Sequence, residues 1–224
     1  TSEKKFSGHI PQGTRVSMPV KSNYSYILIG VYWEGSMVDL DLSAESSEEK
    51  VGWNTSLRGK DKELLHSGDV TSAPEGAVEW LYASNISNSY LVKLNLFKGE
   101  INHPFKLVLA FGDKEDIQGD YVLDPSKVFY QANCSATSRE MIVGSIVPDD
   151  NGISFYLVNQ GCGSSAVSSY GERGEIIFNN IINSQESMLR LKDIESLNFV
   201  NNPKEADVDL SPQNLTKDKI LSLL

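Results

Sequence analysis

Short runs of hydrophobic residues, several of them alternating with polar residues, extend from Arg15 to about Leu157. A period of two is that of a β-strand with one buried face. We predict strands at Tyr26–Glu34, Val38–Leu42, Tyr90–Leu96, Phe105–Phe111, Met141–Val147 and Ile153–Val158. Polar turn formers separate these segments, and Asn151-Gly152 is a strong hairpin signal. Many short strands without intervening amphipathic helices indicate a mainly β chain, specifically an antiparallel β-sandwich.

After Gly174 the pattern changes. Within Ser187–Leu197 the apolar residues Leu191, Ile194 and Leu197 are three apart, which predicts a short helix. A second helix is predicted at Lys217–Leu224, with Thr216 as its N-cap. We therefore predict a sandwich domain over residues 1–170 and a C-terminal extension over 171–224, whose short helices pack on the sandwich.

The composition is globular, with 40% hydrophobic and 22% charged residues in 224. The net charge of −10 argues against nucleic acid and against anionic membrane surfaces as partners, but it suits cations. The longest apolar run, Tyr26–Trp33, is too short to span a membrane, and no signal-type segment opens the chain. These features predict a cytoplasmic protein without membrane insertion. The chain does not begin with Met, so an upstream segment is left open.

The first candidate for chemistry is Val38–Leu42, which reads VDLDL. On a strand its three apolar residues share the core face, and Asp39 and Asp41 share the opposite face. The Cβ atoms of two such aspartates lie ~6.6 Å apart. Their oxygens can therefore converge on a cation that binds ligands at ~2.3–2.6 Å. The same spacing is also that of an ordinary solvated strand face.

The second candidate is His66–Glu79, predicted as a loop that carries Asp69, Glu75 and Glu79. Its glycines and proline let the backbone turn sharply, which exposes carbonyl oxygens as further ligands for Ca²⁺. The segment does not match an EF-hand, so a calcium site here would be of another kind. The plain alternative is a surface hairpin loop without a bound ion.

Taken together, VDLDLSA (Val38–Ala44) and HSGDVTSAPEGAVEW (His66–Trp80) resemble the TerD family of bacterial tellurium-resistance and stress proteins. Further segments resemble the family in the same order, namely Ile27–Trp33, Val51–Asn54 and Glu140–Gly163. The resemblance covers roughly Arg15–Gly163. The tail resembles an extension of one subgroup and is outside the family's common core.

The resemblance implies a β-sandwich that binds Ca²⁺ through the DLD strand and the acidic loop. Carried over position by position, the ligands are Asp39, Asp41, Asp69 and Glu79, with backbone carbonyls from Val70 to Gly76 contributing. Typical members have a run like GDGDDE before the final Glu, whereas this chain has APEGAVE. Fewer carboxylates predict one ion, or a site of lower affinity, in place of two ions.

Other constellations are weaker. His66 and Asp69 could form a proton-transfer pair with Cys134 or Cys162 as nucleophile, but the resemblance implies that His66 orients the loop. The three histidines share no zinc-ligand spacing with each other or with either cysteine. The glycine-rich segment 159–165 lacks the order of a phosphate-binding loop. The two cysteines, Cys134 and Cys162, are expected to be reduced and buried, with one bridge between them as the alternative.

The three tryptophans, Trp33, Trp53 and Trp80, are expected in the core because they lie on or beside predicted strands. We expect a non-enzymatic calcium-binding module of a tellurium-resistance or stress-response system. Its ion-ordered loop would present a surface to other stress-system proteins at or near the inner membrane. Two alternatives stay open, a metal-dependent hydrolase and a calcium-dependent carbohydrate-binding sandwich with Trp80 at the sugar. Oligomeric state is not predicted.

Overall fold

The computed structural model describes residues 15–19, 24–46, 48–55, 63–117, 121, 123–149 and 152–163. The helices predicted at Ser187–Leu197 and Lys217–Leu224 lie outside these residues, as does the whole predicted extension 171–224. Within the described part of the chain, no helix has the length and apolarity needed to cross a membrane.

Eleven strands make up most of the described chain. They are β1 (Arg15–Pro19), β2 (Tyr26–Gly35), β3 (Asp39–Glu45), β4 (Lys50–Val51), β5 (Leu64–His66), β6 (Ala73–Ala83), β7 (Tyr90–Lys98), β8 (His103–Gly112), β9 (Val128–Ala136), β10 (Glu140–Asp149) and β11 (Gly152–Gly163). Single turns of 3-10 helix occur at Trp53–Thr55, Lys114–Asp116 and Pro125–Lys127.

The strands form two sheets in which every pair is antiparallel. One sheet has six strands in the order β1-β11-β10-β7-β3-β4, and the other has five in the order β5-β6-β2-β8-β9. The predicted antiparallel β-sandwich is therefore confirmed for this part of the chain. The predicted hairpin at Asn151-Gly152 is also confirmed, because β10 pairs with β11 through Asp149 and Gly152.

The main core is formed by apolar residues from both sheets. In β3, Leu40 and Leu42 are fully buried in the main hydrophobic cluster, together with Ile29 and Val31 of β2. Asp41, between the two leucines, keeps partial exposure. The predicted division of β3 into a core face and an acidic face is therefore confirmed.

Two predictions about local structure are wrong. The segment Ala73–Glu79 was expected to belong to a loop, but it is the first part of β6 and pairs with β2. Cross-strand pairing overrides its turn-forming residues, and Gly76 adopts a φ of +95° within the strand. Trp53 was expected in the core, but it lies in a 3-10 turn after the two-residue strand β4 and is 52% exposed. Trp33 and Trp80 are buried as predicted.

Candidate metal centre

Three aspartates from two separate segments converge at one end of the sandwich. Asp39 and Asp41 come from β3, and Asp69 comes from the loop Ser67–Ser72 between β5 and β6. One carboxylate oxygen of each lies within 4.8 Å of those of the other two. Oxygens bound at ~2.4 Å on opposite sides of one ion would be ~4.8 Å apart, so this spacing fits a single cation. Asp39 is buried, Asp41 is half-buried and Asp69 is exposed.

Asp39 is buried without a hydrogen-bond donor for one of its carboxylate oxygens within the described part of the chain. The residue is 5% exposed, and its Oδ1 atom has no hydrogen-bond partner among the described residues. An unsatisfied buried acceptor costs about 1–3 kcal/mol, and a charged one costs more. The arrangement is therefore one that a bound cation would stabilise.

Glu79, the fourth predicted ligand, does not belong to this group of three. It is fully buried on β6, and its Oε2 accepts a hydrogen bond from the Leu42 amide at 2.7 Å. Its Oε1 accepts one from the Val70 amide at 3.0 Å. Leu42 directly follows Asp41, and Val70 directly follows Asp69. One carboxylate thus joins the backbone of β3 to that of the loop at the positions that carry the aspartates.

His66 supports the same arrangement from β5. It is fully buried, its Nδ1 accepts a hydrogen bond from the Gly68 amide at 3.0 Å, and its Nε2 lies 3.3 Å from Glu79 Oε2. His66 therefore holds the start of the loop and faces Glu79.

Trp80 also holds the start of the loop. The Trp80 amide donates to Ser67 Oγ at 2.9 Å, and the Ser67 amide donates to the Trp80 carbonyl at 2.9 Å. The indole ring lies against Gly30 of β2, where a Cβ atom would be 2.3 Å from the ring. Glycine at this position therefore allows the packing that fixes β6 next to the loop.

Asn95 is a candidate ligand that sequence reasoning missed. It lies on β7 directly opposite Asp41 in the β3–β7 register, so both side chains are on the same face of the sheet. Asn95 is 5% exposed, and its Oδ1 has no hydrogen-bond partner among the described residues. A buried, unpartnered amide oxygen beside the carboxylates is a donor type that Ca²⁺ accepts. Alternation in YLVKLNLFK places Asn95 off the core face, but only the register shows that it is beside Asp41.

Burial and neighbouring carboxylates raise the pKa of Asp39 and of Asp41. Burial, followed by the charges of Asp69 and Glu79, raises the pKa of Asp39 to about 6, although Lys98 opposes the shift. Burial also raises the pKa of Asp41 to about 7, with contributions from the charges of Glu79, Asp39 and Asp69 and opposition from Lys50. Near neutral pH, like charges are therefore held together at a cost that a divalent cation would remove.

The geometry gives no support to the nucleophile considered at Cys134. This residue is a free, half-buried thiol on β9. Burial raises the pKa of the Cys134 thiol to about 11, which keeps it protonated and poorly nucleophilic near neutral pH. The side chain of Cys162 lies outside the described residues. His66 contacts Gly68 and Glu79, so a pairing with Asp69 is not what positions it.

Comparison with known proteins adds little to this picture. No family model matches the chain, and no curated protein matches it. Among solved structures, the chain is similar to one titled "Crystal structure of unknown function protein SAV2460", with 14% sequence identity and a TM-score of 0.45. The match covers 65% of this chain and 94% of that chain. At this TM-score the similarity carries no argument about function, and the TerD assignment stays a prediction.

Proposed function

We propose that this chain is a calcium-binding, non-enzymatic β-sandwich module. The observation that carries the proposal is the convergence of Asp39, Asp41 and Asp69, in which a buried Asp39 oxygen has no other partner among the described residues. The unpartnered oxygen of Asn95, next to Asp41, supports it independently. Exposed acidic groups are common without an ion, but here the two buried, unpartnered oxygens belong to a converging carboxylate and to the residue opposite Asp41.

The donor set points to a hard divalent cation. The three converging groups are all carboxylates, and Asn95 adds an amide oxygen. Carboxylate and amide oxygens suit Ca²⁺, Mg²⁺ and Mn²⁺, whereas zinc and copper sites use imidazole and thiolate ligands. The oxygens come from a strand and an irregular loop. Ca²⁺ accepts such irregular sets of six to eight ligands more readily than Mg²⁺, which demands a near-ideal octahedron.

Ion binding would connect two parts of the fold that are far apart in sequence. Asp39 and Asp41 belong to the six-stranded sheet, and Asp69 precedes β6 of the five-stranded sheet. Without a cation, the carboxylates repel each other across this junction. A bound cation would replace that repulsion with shared coordination and order the loop Ser67–Ser72 relative to β3. We propose that this ordered end is what a partner protein recognises.

The biological setting in this proposal rests on the sequence resemblance. VDLDLSA and HSGDV, the motifs that resemble the TerD family, contain the three converging aspartates. The convergence of these aspartates supports the proposal that both motifs contribute to one site. We propose on that ground a role in a bacterial tellurium-resistance or stress-response system, in the cytoplasm, with other stress-system proteins as partners.

The test is a calorimetric titration with Ca²⁺ and, separately, Mg²⁺. We expect the wild-type protein to bind Ca²⁺ and the Asp41→Asn variant to bind it at least about tenfold more weakly. The matched control is Glu75→Gln, which removes an exposed acid of β6 that is outside the converging group and should leave Ca²⁺ binding unchanged. If the folded wild-type protein gives no heat of binding when it is titrated with Ca²⁺, the proposal is contradicted.

A further inference from the structure

Three exposed apolar side chains are located at the end of the sandwich that carries the candidate metal centre. Four large hydrophobic residues are exposed among the described residues, namely Met37 (65%), Phe97 (56%), Trp53 (52%) and Ile101 (42%). Met37 lies two residues before Asp39, Phe97 is next to the last residue of β7, and Ile101 is in the turn from β7 to β8. Trp53 follows β4 and is the exception.

Strand pairing brings these three residues to the same edge. Asp39, the first residue of β3, pairs with Lys98, the last residue of β7. The turn before β3 and the turn after β7 therefore emerge side by side. They also lie close together, since a Cβ atom added at Gly99 would be 3.4 Å from both methyl groups of Val38.

The loop that carries Asp69 reaches the same edge. Ser72 Oγ donates a hydrogen bond to the Ser36 carbonyl at 3.3 Å, which connects this loop to the turn before β3. Three turns thus surround the converging aspartates. We call Met37, Phe97 and Ile101 the apolar turn surface.

We propose that the apolar turn surface docks on an anionic phospholipid surface when the metal centre holds Ca²⁺. The inference rests on the proposed calcium binding and adds the partner that the bound ion would serve. In this arrangement the ion bridges the aspartates to lipid phosphate oxygens, while the apolar side chains enter the boundary between headgroups and acyl chains.

Charge makes the docking conditional on the ion. The chain has a net charge of −10, and three converging carboxylates lie near the edge that would meet the lipid. An anionic surface repels such an edge. Ca²⁺ takes six to eight oxygens, so three carboxylates that each give one oxygen, together with Asn95, leave coordination positions to be filled. Asp69 is exposed, so the unfilled positions are on the side open to phosphate oxygens.

The form of the apolar turn surface favours a lipid over a folded protein. A stable protein interface buries about 800 Å² on each partner around a contiguous, well-packed centre. In this protein, single large side chains stand on separate turns among polar neighbours such as Ser36, Glu100 and Asn102. Such side chains can each enter a lipid boundary independently, and membrane binding then scales with the buried apolar area plus the electrostatic attraction. The exposed Lys98, paired with Asp39, adds a phosphate contact.

Cosedimentation with vesicles tests the inference. Full-length wild-type protein is mixed with vesicles of phosphatidylcholine and phosphatidylserine, or of phosphatidylcholine alone, in Ca²⁺ or in chelator. The test variant is Met37→Ser with Phe97→Ser and Ile101→Ser. The control is Trp53→Ser, which removes an equally exposed apolar residue beyond the opposite end of β3, where β4 pairs with Ala44 and Glu45. Calorimetry measures Ca²⁺ binding by each protein in solution.

We expect sedimentation of the wild-type and Trp53→Ser proteins only with phosphatidylserine and Ca²⁺ together. The triple variant should partition at least about tenfold more weakly, while its Ca²⁺ affinity in solution is unchanged. Ca²⁺ binding without sedimentation would overturn the lipid assignment, leave calcium binding intact and assign this end to a protein partner. A wild-type protein that binds no Ca²⁺ in solution would overturn both proposals. Calcium-induced dimers that the triple variant abolishes would overturn the lipid assignment in favour of a second copy.

Discussion

The carboxylate of Glu79 accepts a hydrogen bond from the backbone amide of Leu42 at 2.7 Å across the interior of the sandwich. The other oxygen of the same carboxylate accepts from Val70, so one buried side chain sets the separation of the two segments that carry Asp41 and Asp69. In this account Glu79 positions the ligands, and the three aspartates hold the ion. Substitutions of Glu79 and of an aspartate should therefore differ in their effects on stability and on Ca²⁺ binding.

Replacing the positioning residue should affect both stability and calcium binding. Glu79→Gln keeps the size of the side chain but turns one acceptor oxygen into an NH₂ group that faces a backbone amide. We expect the free energy of unfolding to fall by about 1–3 kcal/mol and the Ca²⁺ affinity to fall with it. Urea denaturation in chelator measures the first, and calorimetry measures the second. Unchanged stability in chelator would show that the two backbone bonds do not hold the loop.

Replacing the exposed ligand Asp69 should weaken Ca²⁺ binding without lowering stability in chelator. Asp69→Asn removes a charge that raises the pKa of both Asp39 and Asp41. We expect stability in chelator to be unchanged within about 0.5 kcal/mol or slightly higher, because like-charge repulsion falls. The rise in Tm that Ca²⁺ produces should be lost, since that rise depends on binding to the folded state. A full calcium-dependent rise in this variant would exclude Asp69 as a ligand.

The raised pKa values predict the pH dependence of the calcium-free protein. Asp39 and Asp41 have pKa values of about 6 and about 7 in the folded chain, against an ordinary value of 3.8. The folded state therefore binds these protons more tightly than the unfolded state. Their contribution to stability is largest at low pH and is lost as the pH rises from about 4 through 6 to 7.

This dependence can be measured in chelator by thermal unfolding at several pH values. The loss of stability between about pH 5 and pH 8 should be smaller in the Asp39→Asn/Asp41→Asn double variant than in the wild type. Saturating Ca²⁺ should reduce the loss in the wild type, since the ion neutralises the carboxylates. Identical pH profiles for the wild type and the double variant in chelator would show that burial and mutual repulsion do not raise the pKa values of Asp39 and Asp41.

Replacing Asn95 tests whether this residue, opposite Asp41 in the β3–β7 register, belongs to the metal site. Asn95→Asp adds a fourth carboxylate directly opposite Asp41. We expect lower stability in chelator, because another like charge is buried, together with an increase of about tenfold in Ca²⁺ affinity, because ligand charge sets affinity. The matched control, Asn133→Asp, places the same change at an exposed position on β9 of the other sheet. An equal effect of both variants on Ca²⁺ affinity would place Asn95 outside the site.

The sequence predicted the architecture well where periodicity was strong. All six predicted strands exist, because their apolar residues are buried in the hydrophobic clusters of the sandwich. Strands β1, β4, β5 and β9 were not predicted. They are short or lack a continuous apolar face, so long-range pairing stabilises them more than local pattern does. β6 was partly predicted as a loop because Pro74 and Gly76 are turn formers in isolation.

Less of the candidate metal centre than of the fold could be predicted from the sequence. Alternation placed Asp39 and Asp41 on one face, and the motif resemblance connected them to Asp69, which the structure brings within reach of both. The same reasoning treated Glu79 as an equivalent acid. Burial between two backbone amides distinguishes it, and burial of this kind depends on how the sheets pack. Asn95 was missed because the β3–β7 register joins residues more than fifty positions apart.

The most direct test is a crystal structure of this chain grown in millimolar Ca²⁺. The account predicts one ion bound by carboxylate oxygens of Asp39, Asp41 and Asp69 at ~2.3–2.6 Å, with Glu79 still hydrogen-bonded to Leu42 and Val70. Three aspartates that face solvent with no ion between them would contradict the central claim, even if the sandwich itself were unchanged.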